Sequence, residues 1–181
     1  MKSGRVILFA LAVVAILTSS FVAHATDEPA IGSSSGSASG LLVPRFVSLK
    51  SDRVNVRAGP TKDHDVTWVF TRIGLPVEIT AEFENWRRIR DWEGAEGWVY
   101  HSLLSSRRTA IVAPLTKAKD DLVPLRQKAD AGSPLAASLQ AGVLGMVKTC
   151  SGRWCRLVGV GFDGWIEQER LWGVYQNEKV E

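Results

Sequence analysis

Cys150 and Cys155 are the only two thiols in the chain, and the four residues Ser-Gly-Arg-Trp separate them. Two thiols with no nearby histidine or third cysteine make a poor tetrahedral zinc site. Their spacing also differs from the two intervening residues of a redox motif. In an exported protein the pair predicts a short-range structural disulfide, whose small ring would contribute about 2 kcal/mol. Free thiols and a redox-active pair are the alternatives.

General acid–base and nucleophilic catalysis usually need a histidine or paired carboxylates, and this chain offers few of either arrangement. Beyond the N-terminal segment only His64 and His101 remain. His64 lies in the string DHD (63–65), which could form a base or a metal site. Because that string follows a Gly-Pro turn and precedes a predicted strand, we expect a solvated loop.

Several carboxylates could supply a glycosidase pair if two of them faced one cleft at about 5 to 10 Å. Each lies at a predicted hairpin end, where acidic side chains are normally solvated. They are Glu82, Glu84, Asp91, Glu93 and Glu96. We therefore predict no catalytic residue, no metal site and no cofactor.

The N-terminus has the three parts of a secretory signal peptide. Lys2 and Arg5 are positively charged, residues 6–17 are an unbroken apolar run, and Ala23-His24-Ala25 has the form of a cleavage site. Twelve helical residues span only about 18 Å, against roughly 30 Å of bilayer hydrocarbon. We expect cleavage after residue 25, no stable membrane insertion afterwards, and a periplasmic or secreted product.

The charge pattern argues against a nucleic-acid partner. The chain has 22 basic and 19 acidic residues, for a net charge of +3. Removal of Lys2 and Arg5 would bring that charge close to zero, and the remaining charges of both signs are interspersed. Nucleic-acid-binding proteins usually concentrate Lys and Arg on one face or stretch. We therefore expect no nucleic-acid ligand.

Beyond residue 46 the chain contains two units of similar sequence. The number of residues that separates a string from its match in the second unit falls by one from each matched pair to the next. The matches are VNVR (54–57) with VPLR (123–126), WRRI (86–89) with WCRL (154–157), and GWV (97–99) with GWI (164–166). Such drift is expected when a second copy of one fold has lost single residues in loops, where deletions are tolerated. The chain is therefore predicted to contain a tandem repeat.

The periodicity within the units is that of strands. Val54 and Val56 alternate with polar neighbours, as do Val77, Ile79 and Ala81, and turn residues bound these segments. Short strands of this kind predict an all-β fold of two small barrels or sandwiches. The predicted boundaries are a signal peptide (1–25), a flexible linker (26–45), a first domain (46–105), a connection (106–119), a second domain (120–176) and a C-terminal tail (177–181).

Four strings of the first unit resemble the bacterial SH3-like domain in order and spacing. They are VNVRAGP (54–60), GLPVEIT (74–80), NWRRIR (85–90) and EGWVYHSLL (96–104). The second unit resembles the family more weakly, through Arg126, Trp154, Leu171 and the string 164–166. Residues QKA (127–129) replace Ala-Gly-Pro there, so the second unit is a degenerate copy.

The resemblance implies two tandem SH3-like β-barrels, each five-stranded and partly open. It also implies the usual role of such modules, which are mostly non-catalytic domains of exported bacterial proteins that are thought to bind peptidoglycan or protein partners. We therefore expect a binding module for peptidoglycan, or its peptide, in the cell envelope. The alternative is an accessory or regulatory subunit that docks on an envelope protein.

The tryptophans that follow glycine at matched positions, Trp98 and Trp165, are expected in the two hydrophobic cores. Trp172 and Tyr175 have no matching aromatic residue in the first unit. Packing between the two domains would account for them as well as ligand binding would.

Trp68, Trp92 and Tyr100 also have no matching aromatic residue in the other unit. Large flat rings of this kind bury much area and stack on sugars or peptides, so these three residues are candidates for a recognition surface. The neighbouring Arg57 and Arg88 could pair with carboxylates of a wall peptide. We predict a shallow aromatic and basic groove on the first unit.

Overall fold

Residues 34–36, 38–113 and 122–181 are described by a computed structural model of the chain. They contain β-strands and two single-turn 3₁₀-helices, and no α-helix occurs among them. The predicted all-β class is therefore confirmed. The described residues belong to one compact unit, residues 33–181. The predicted signal peptide lies outside the described residues.

The first barrel is built from strands in which buried apolar residues alternate with more exposed polar ones, as at residues 54–57, where Val54 and Val56 are buried. Its strands are β3 (Arg45–Leu49), β4 (Val54–Arg57), β5 (Val66–Phe70), β6 (Pro76–Phe83), β7 (Trp86–Arg90), β8 (Glu96–Tyr100) and β9 (Leu104–Ser105). They follow two short strands, β1 (Ser34–Ser35) and β2 (Leu42–Val43), which pair with each other.

The second barrel repeats this architecture. Its strands are β10 (Thr109–Val112), β11 (Val123–Arg126), β12 (Leu135–Leu139), β13 (Leu144–Ser151), β14 (Trp154–Gly159), β15 (Phe162–Glu167), β16 (Leu171–Trp172) and β17 (Lys179–Val180). A 3₁₀-helix precedes the last strand of the shared topology in each barrel, at His101–Leu103 and at Gln168–Arg170.

Both sheets have the same strand order. In the first barrel it is β5-β4-β8-β7-β6-β3-β9, and in the second it is β12-β11-β15-β14-β13-β10-β16, with β17 added beside β13. Each barrel encloses its own group of buried apolar side chains, centred on Val56 and Ile89 in the first and on Leu125 and Leu157 in the second. Two copies of one fold, each with its own core, are thus joined in the chain.

Three of the predicted boundaries need correction. The predicted connection (106–119) contains β10, whose four residues are all buried and pair with β13 and β16. The string TAIV is apolar enough to be covered on both faces, which is why it forms a central strand. The predicted tail (177–181) contains β17, which pairs with β13.

Part of the predicted linker (26–45) also packs on the first barrel. Glu82, whose side chain is fully buried, accepts hydrogen bonds from the backbone N–H and hydroxyl of Ser39 and from Arg45. Arg87 lies on the same carboxylate, with its Nε 3.2 Å from Oε1. The end of the segment that was predicted to be a flexible linker is therefore ordered, because the carboxylate of Glu82 accepts its hydrogen bonds.

The disulfide between Cys150 and Cys155 is present. An alignment of the second unit with the first would make the cysteines near neighbours that are not directly opposed. That expectation is wrong: they are directly opposed on β13 and β14, with their Cα atoms 4.1 Å apart. A register shift between Val147 and Thr149 moves β13 by one residue and brings them opposite each other.

The two barrels contact each other through aromatic residues of the second barrel's C-terminal segment. Phe46 packs edge-on against Trp172, with ring centroids 5.1 Å apart, and its ring is tilted against that of Tyr175 at 4.7 Å. The hydroxyl of Tyr175 donates a 2.8 Å hydrogen bond to Glu78. Glu78 is almost fully buried and also accepts from Arg90. Trp172 and Tyr175 therefore serve the contact between the barrels.

We expect Tyr175→Phe to lower the free energy of unfolding by about 1 kcal/mol, because it leaves one oxygen of the buried Glu78 without its donor. Burial, reinforced by the hydrogen bond to Glu78, raises the pKa of Tyr175, so its hydroxyl donates throughout the neutral range. Urea denaturation measures the change. Tyr100→Phe is the matched control, because the Tyr100 hydroxyl has no hydrogen-bond partner among the described residues. Equal effects of the two substitutions would contradict the assignment.

Because its pKa is lowered, Glu82 should make the folded protein less stable in acid. Burial alone would raise the pKa of Glu82, but the hydrogen bonds from Ser39 and Arg45 and the charge of Arg87 lower it to about 2. Because the folded-state pKa lies below the ordinary value of 4.5, the stabilisation is complete above that value and is lost as the pH falls towards 2.

We therefore expect Glu82→Gln to be less stable than the unmodified protein at pH 7, and the difference to shrink between about pH 4.5 and 2. Denaturation curves across that range check this. Glu93→Gln, at an exposed glutamate, serves as the control. A difference that stays constant with pH would exclude Glu82 as the titrating group.

Candidate functional site

A cavity of about 330 Å³ opens on the first barrel where β4, β7 and β8 meet the first 3₁₀-helix. Strand alternation turns Asn55 and Arg57 away from the core, which Val54 and Val56 fill from the other face. We call this cavity the first cleft. It is lined by Asn55, Arg57, Lys62, Trp86, Tyr100, Ser102 and Leu103.

Two aromatic rings form one wall of the first cleft. Trp86 and Tyr100 are directly opposed on β7 and β8. Their ring centroids are 5.4 Å apart and their planes are nearly perpendicular, an edge-to-face arrangement that aromatic pairs prefer. Trp86 is buried and Tyr100 is half-buried. The wall is therefore rigid, and Tyr100 offers the more accessible surface to a ligand.

The first cleft also carries positive charge. Arg57 and Lys62 line it, and no lining residue is acidic. Arg57 donates a 2.6 Å hydrogen bond to the carbonyl oxygen of His64, which fixes the guanidinium at the edge of the cleft. Asn55 and Ser102 add exposed amide and hydroxyl groups. Such a surface can hold a carboxylate and hydrogen-bond a peptide while its aromatic wall packs on apolar groups.

The structure brings together two of the five predicted surface residues, Tyr100 and Arg57. Trp92 lies outside the cleft in the turn after β7, with 45% of its surface exposed. Arg88 is exposed and forms an ion pair with Glu96. Trp68 is half-buried against the first core.

The surroundings of Trp68 explain its position. It is opposed to Val56, a core residue, and packs edge-on against Phe70 with ring centroids 6.0 Å apart. Its indole nitrogen is buried and has no hydrogen-bond partner among the described residues. These contacts are those of a core side chain.

Trp98 and Trp165 were expected in the cores, and this prediction is wrong. Gly97 and Gly164 are the residues that face inward: a Cβ atom on Gly97 would lie 2.4 Å from a methyl carbon of Val56. Strand alternation then turns each following tryptophan to the outer face. There Trp98 is opposed to both Arg57 and Arg88.

The sequence interpretation missed most of the residues of the first cleft. Trp86 was not among the predicted surface residues, although a strand register that opposes it to Tyr100 would have identified the aromatic wall. Lys62 and Ser102 carry no sequence signal of their own, because a loop and a 3₁₀-helix bring them to the cleft.

A second cavity, of about 140 Å³, lies at the matching place in the second barrel and is called the second cleft. Arg126 corresponds to Arg57 and Trp154 to Trp86 in the repeat. Trp154 is opposed to Glu167, just as Trp86 is opposed to Tyr100. The second cleft is lined by Val123, Pro124, Arg126, Ala131, Trp154, Glu167 and Arg170.

Among the residues considered for acid–base or metal chemistry, His64 and its neighbours are solvent-exposed. The string 63–65 lies in an exposed turn, where His64 makes no side-chain hydrogen bond with a described residue. Across residues 34–36, 38–113 and 122–181, no group of His, Cys, Asp and Glu side chains could hold a metal ion. Nor does any helix in these ranges have the length and apolar character to cross a bilayer.

The chain belongs to the bacterial SH3 domain family, whose model matches it twice, at residues 50–106 and 119–173. This confirms the tandem SH3-like repeat, the degenerate second copy included. No curated protein matches the chain.

Two solved structures similar to the chain are NlpC2 and NlpC1 from Trichomonas vaginalis. Each is 14% identical to the chain, with TM-scores of 0.29 and 0.30, over 71% and 75% of this chain. The similar region covers 48% of each of those proteins, so the chain spans about half of their length.

We expect Gly97→Ala to destabilise the first barrel by about 1–3 kcal/mol, because the added methyl group would overlap the fully buried Val56. Thermal or urea denaturation measures the loss. Gly132→Ala is the control, since its nearest neighbours would lie at 3.7 Å or beyond. If Gly97→Ala were as stable as Gly132→Ala, the inward orientation of Gly97 would be refuted.

Proposed function

We propose that the chain is a non-catalytic, exported binding protein of the bacterial cell envelope, and that its first cleft binds peptidoglycan through the peptide. The observation that carries this proposal is the pairing of an aromatic wall with unneutralised basic side chains in one cavity. Wall peptides combine carboxylates with small apolar side chains, and the lining of the cleft matches these two features.

The two cationic side chains of the cleft are expected to bind a carboxylate of the ligand. Arg57 and Lys62 have no carboxylate within ion-pair distance among the described residues. An incoming carboxylate would therefore not have to displace an internal partner. Guanidinium–carboxylate hydrogen bonds are among the stronger ones in proteins, and their strength falls with added salt at an exposed site.

The aromatic wall is expected to contact apolar groups of the ligand. Tyr100 is held between the rings of Trp86 and His101, at centroid distances of 5.4 and 5.0 Å. A ring fixed in this way loses little conformational freedom on binding, so more of its contact energy appears as affinity. Tyr100 is thus the expected centre of the binding energy.

Two features that are typical of exported proteins support a location in the cell envelope. The disulfide between Cys150 and Cys155 is of a kind that persists in oxidising compartments. The signal-peptide pattern of residues 1–25 points to the same compartments. We place the protein in the periplasm or outside the cell.

We expect Tyr100→Ala to lower the affinity for purified peptidoglycan sacculi about tenfold, because it removes the accessible ring of the wall. Co-sedimentation of the protein with sacculi measures this. Trp92→Ala is the matched control, since it removes an exposed aromatic side chain outside the cleft. Circular dichroism establishes that both variants are folded, and Arg57→Gln provides a second cleft variant.

Equal binding by the Tyr100 and Trp92 variants would exclude the first cleft as the site. Failure of the unmodified protein to sediment with sacculi, together with co-purification with one envelope protein, would instead favour the accessory or regulatory subunit.

A further inference from the structure

We propose that the second cleft is a separate binding site for the terminal carboxylate of a peptide, held between Arg126 and Arg170. The inference rests on the second barrel alone and goes beyond the function proposed for the first cleft. Two substitutions between the repeats define it: Glu167 stands where the first barrel has Tyr100, and Arg170 stands where it has Leu103. The second cleft has therefore exchanged an aromatic and an apolar side chain for charged ones.

Arg170 lacks the partners that its burial calls for. It is half-buried at the end of the second 3₁₀-helix, and its Nε is buried without a hydrogen-bond partner. Its guanidinium makes no ion pair with any described residue. A buried N–H group without an acceptor destabilises the folded protein, and more so when the group is charged. An anion bound in the cleft would supply the missing acceptor.

Arg126 provides the second cation. Its NH1 donates a 3.1 Å hydrogen bond to the carbonyl oxygen of Ser133, which orients the side chain, and it too has no carboxylate partner among the described residues. Two guanidinium groups that face one small cavity form a site for a planar anion, because each can present two parallel N–H donors.

Glu167 also lines the cavity, but its charge is already compensated. Its Oε1 lies 2.9 Å from the guanidinium of Arg153, which is exposed and does not line the cavity. With Glu167 paired to Arg153, Arg126 and Arg170 leave the lining of the second cleft with a net positive charge. A ligand carboxylate therefore meets an attractive field.

The other walls select a carboxylate with a small apolar neighbour. Pro124, Ala131 and Trp154 contribute apolar surface, and Trp154 is only 9% exposed. The cavity volume of about 140 Å³ is less than half that of the first cleft, which suits the last residue of a peptide better than a longer segment. Inorganic anions share the charge but would leave the apolar walls unused.

The test compares acetyl-Ala-Ala with a free carboxylate and the same dipeptide as its amide, by calorimetry and by NMR of the Trp154 indole and the Arg170 Nε–H. We expect the free acid to bind at least tenfold more tightly than the amide. Arg170→Gln should reduce binding of the acid to the level of the amide. Lys148→Gln removes the same charge from an exposed site and should change nothing.

Arg126→Gln provides a second variant if Arg170→Gln does not fold. Equal binding of acid and amide, no binding of either, or full affinity in both arginine variants would overturn the proposal. Inorganic phosphate that competes as strongly as the dipeptide acid would overturn it in favour of a general anion site. Retention of dipeptide binding by Tyr100→Ala separates this site from the first cleft.

Discussion

Strand β8 passes so close to β4 that only glycine fits at position 97, and this steric constraint sets the register of the sheet that carries the first cleft. With Gly97 turned inward, Trp98 must face outward and Tyr100 must lie opposite Trp86. The same constraint recurs at Gly164, where a Cβ atom would lie 2.7 Å from the carbonyl oxygen of Arg126. One close approach of two backbones therefore positions a cleft in each barrel.

The contact between the barrels makes one body of two small domains, each of which would be marginal alone. Glu78 of the first barrel is buried and satisfied partly by Tyr175 of the second, so neither barrel completes its polar contacts by itself. The aromatic packing of Phe46 against Trp172 adds apolar burial at the same place. Two clefts of different chemistry are thereby carried on one compact unit.

Strand periodicity and the repeat were enough to predict the fold class and the tandem barrels, because alternation and turn residues are local properties. The positions of the cleft residues depend on strand register and on loop conformation, which are not local properties of the sequence. A single bulge in β13 decides that Cys150 lies opposite Cys155, and the inward turn of Gly97 decides that Trp98 leaves the core. Tyr100 and Arg57 could be proposed from their residue types, whereas Trp86, Lys62 and Arg170 required the folded chain.

An NMR titration of the protein with soluble peptidoglycan fragments tests whether the first cleft, and not the remaining surface, binds the envelope ligand. We expect the largest shifts at the Trp86 indole, Tyr100 and Arg57, with the outer-face Trp98 less affected. Shifts concentrated at Trp92, outside the lining of either cleft, or no shifts at saturating fragment, would contradict it.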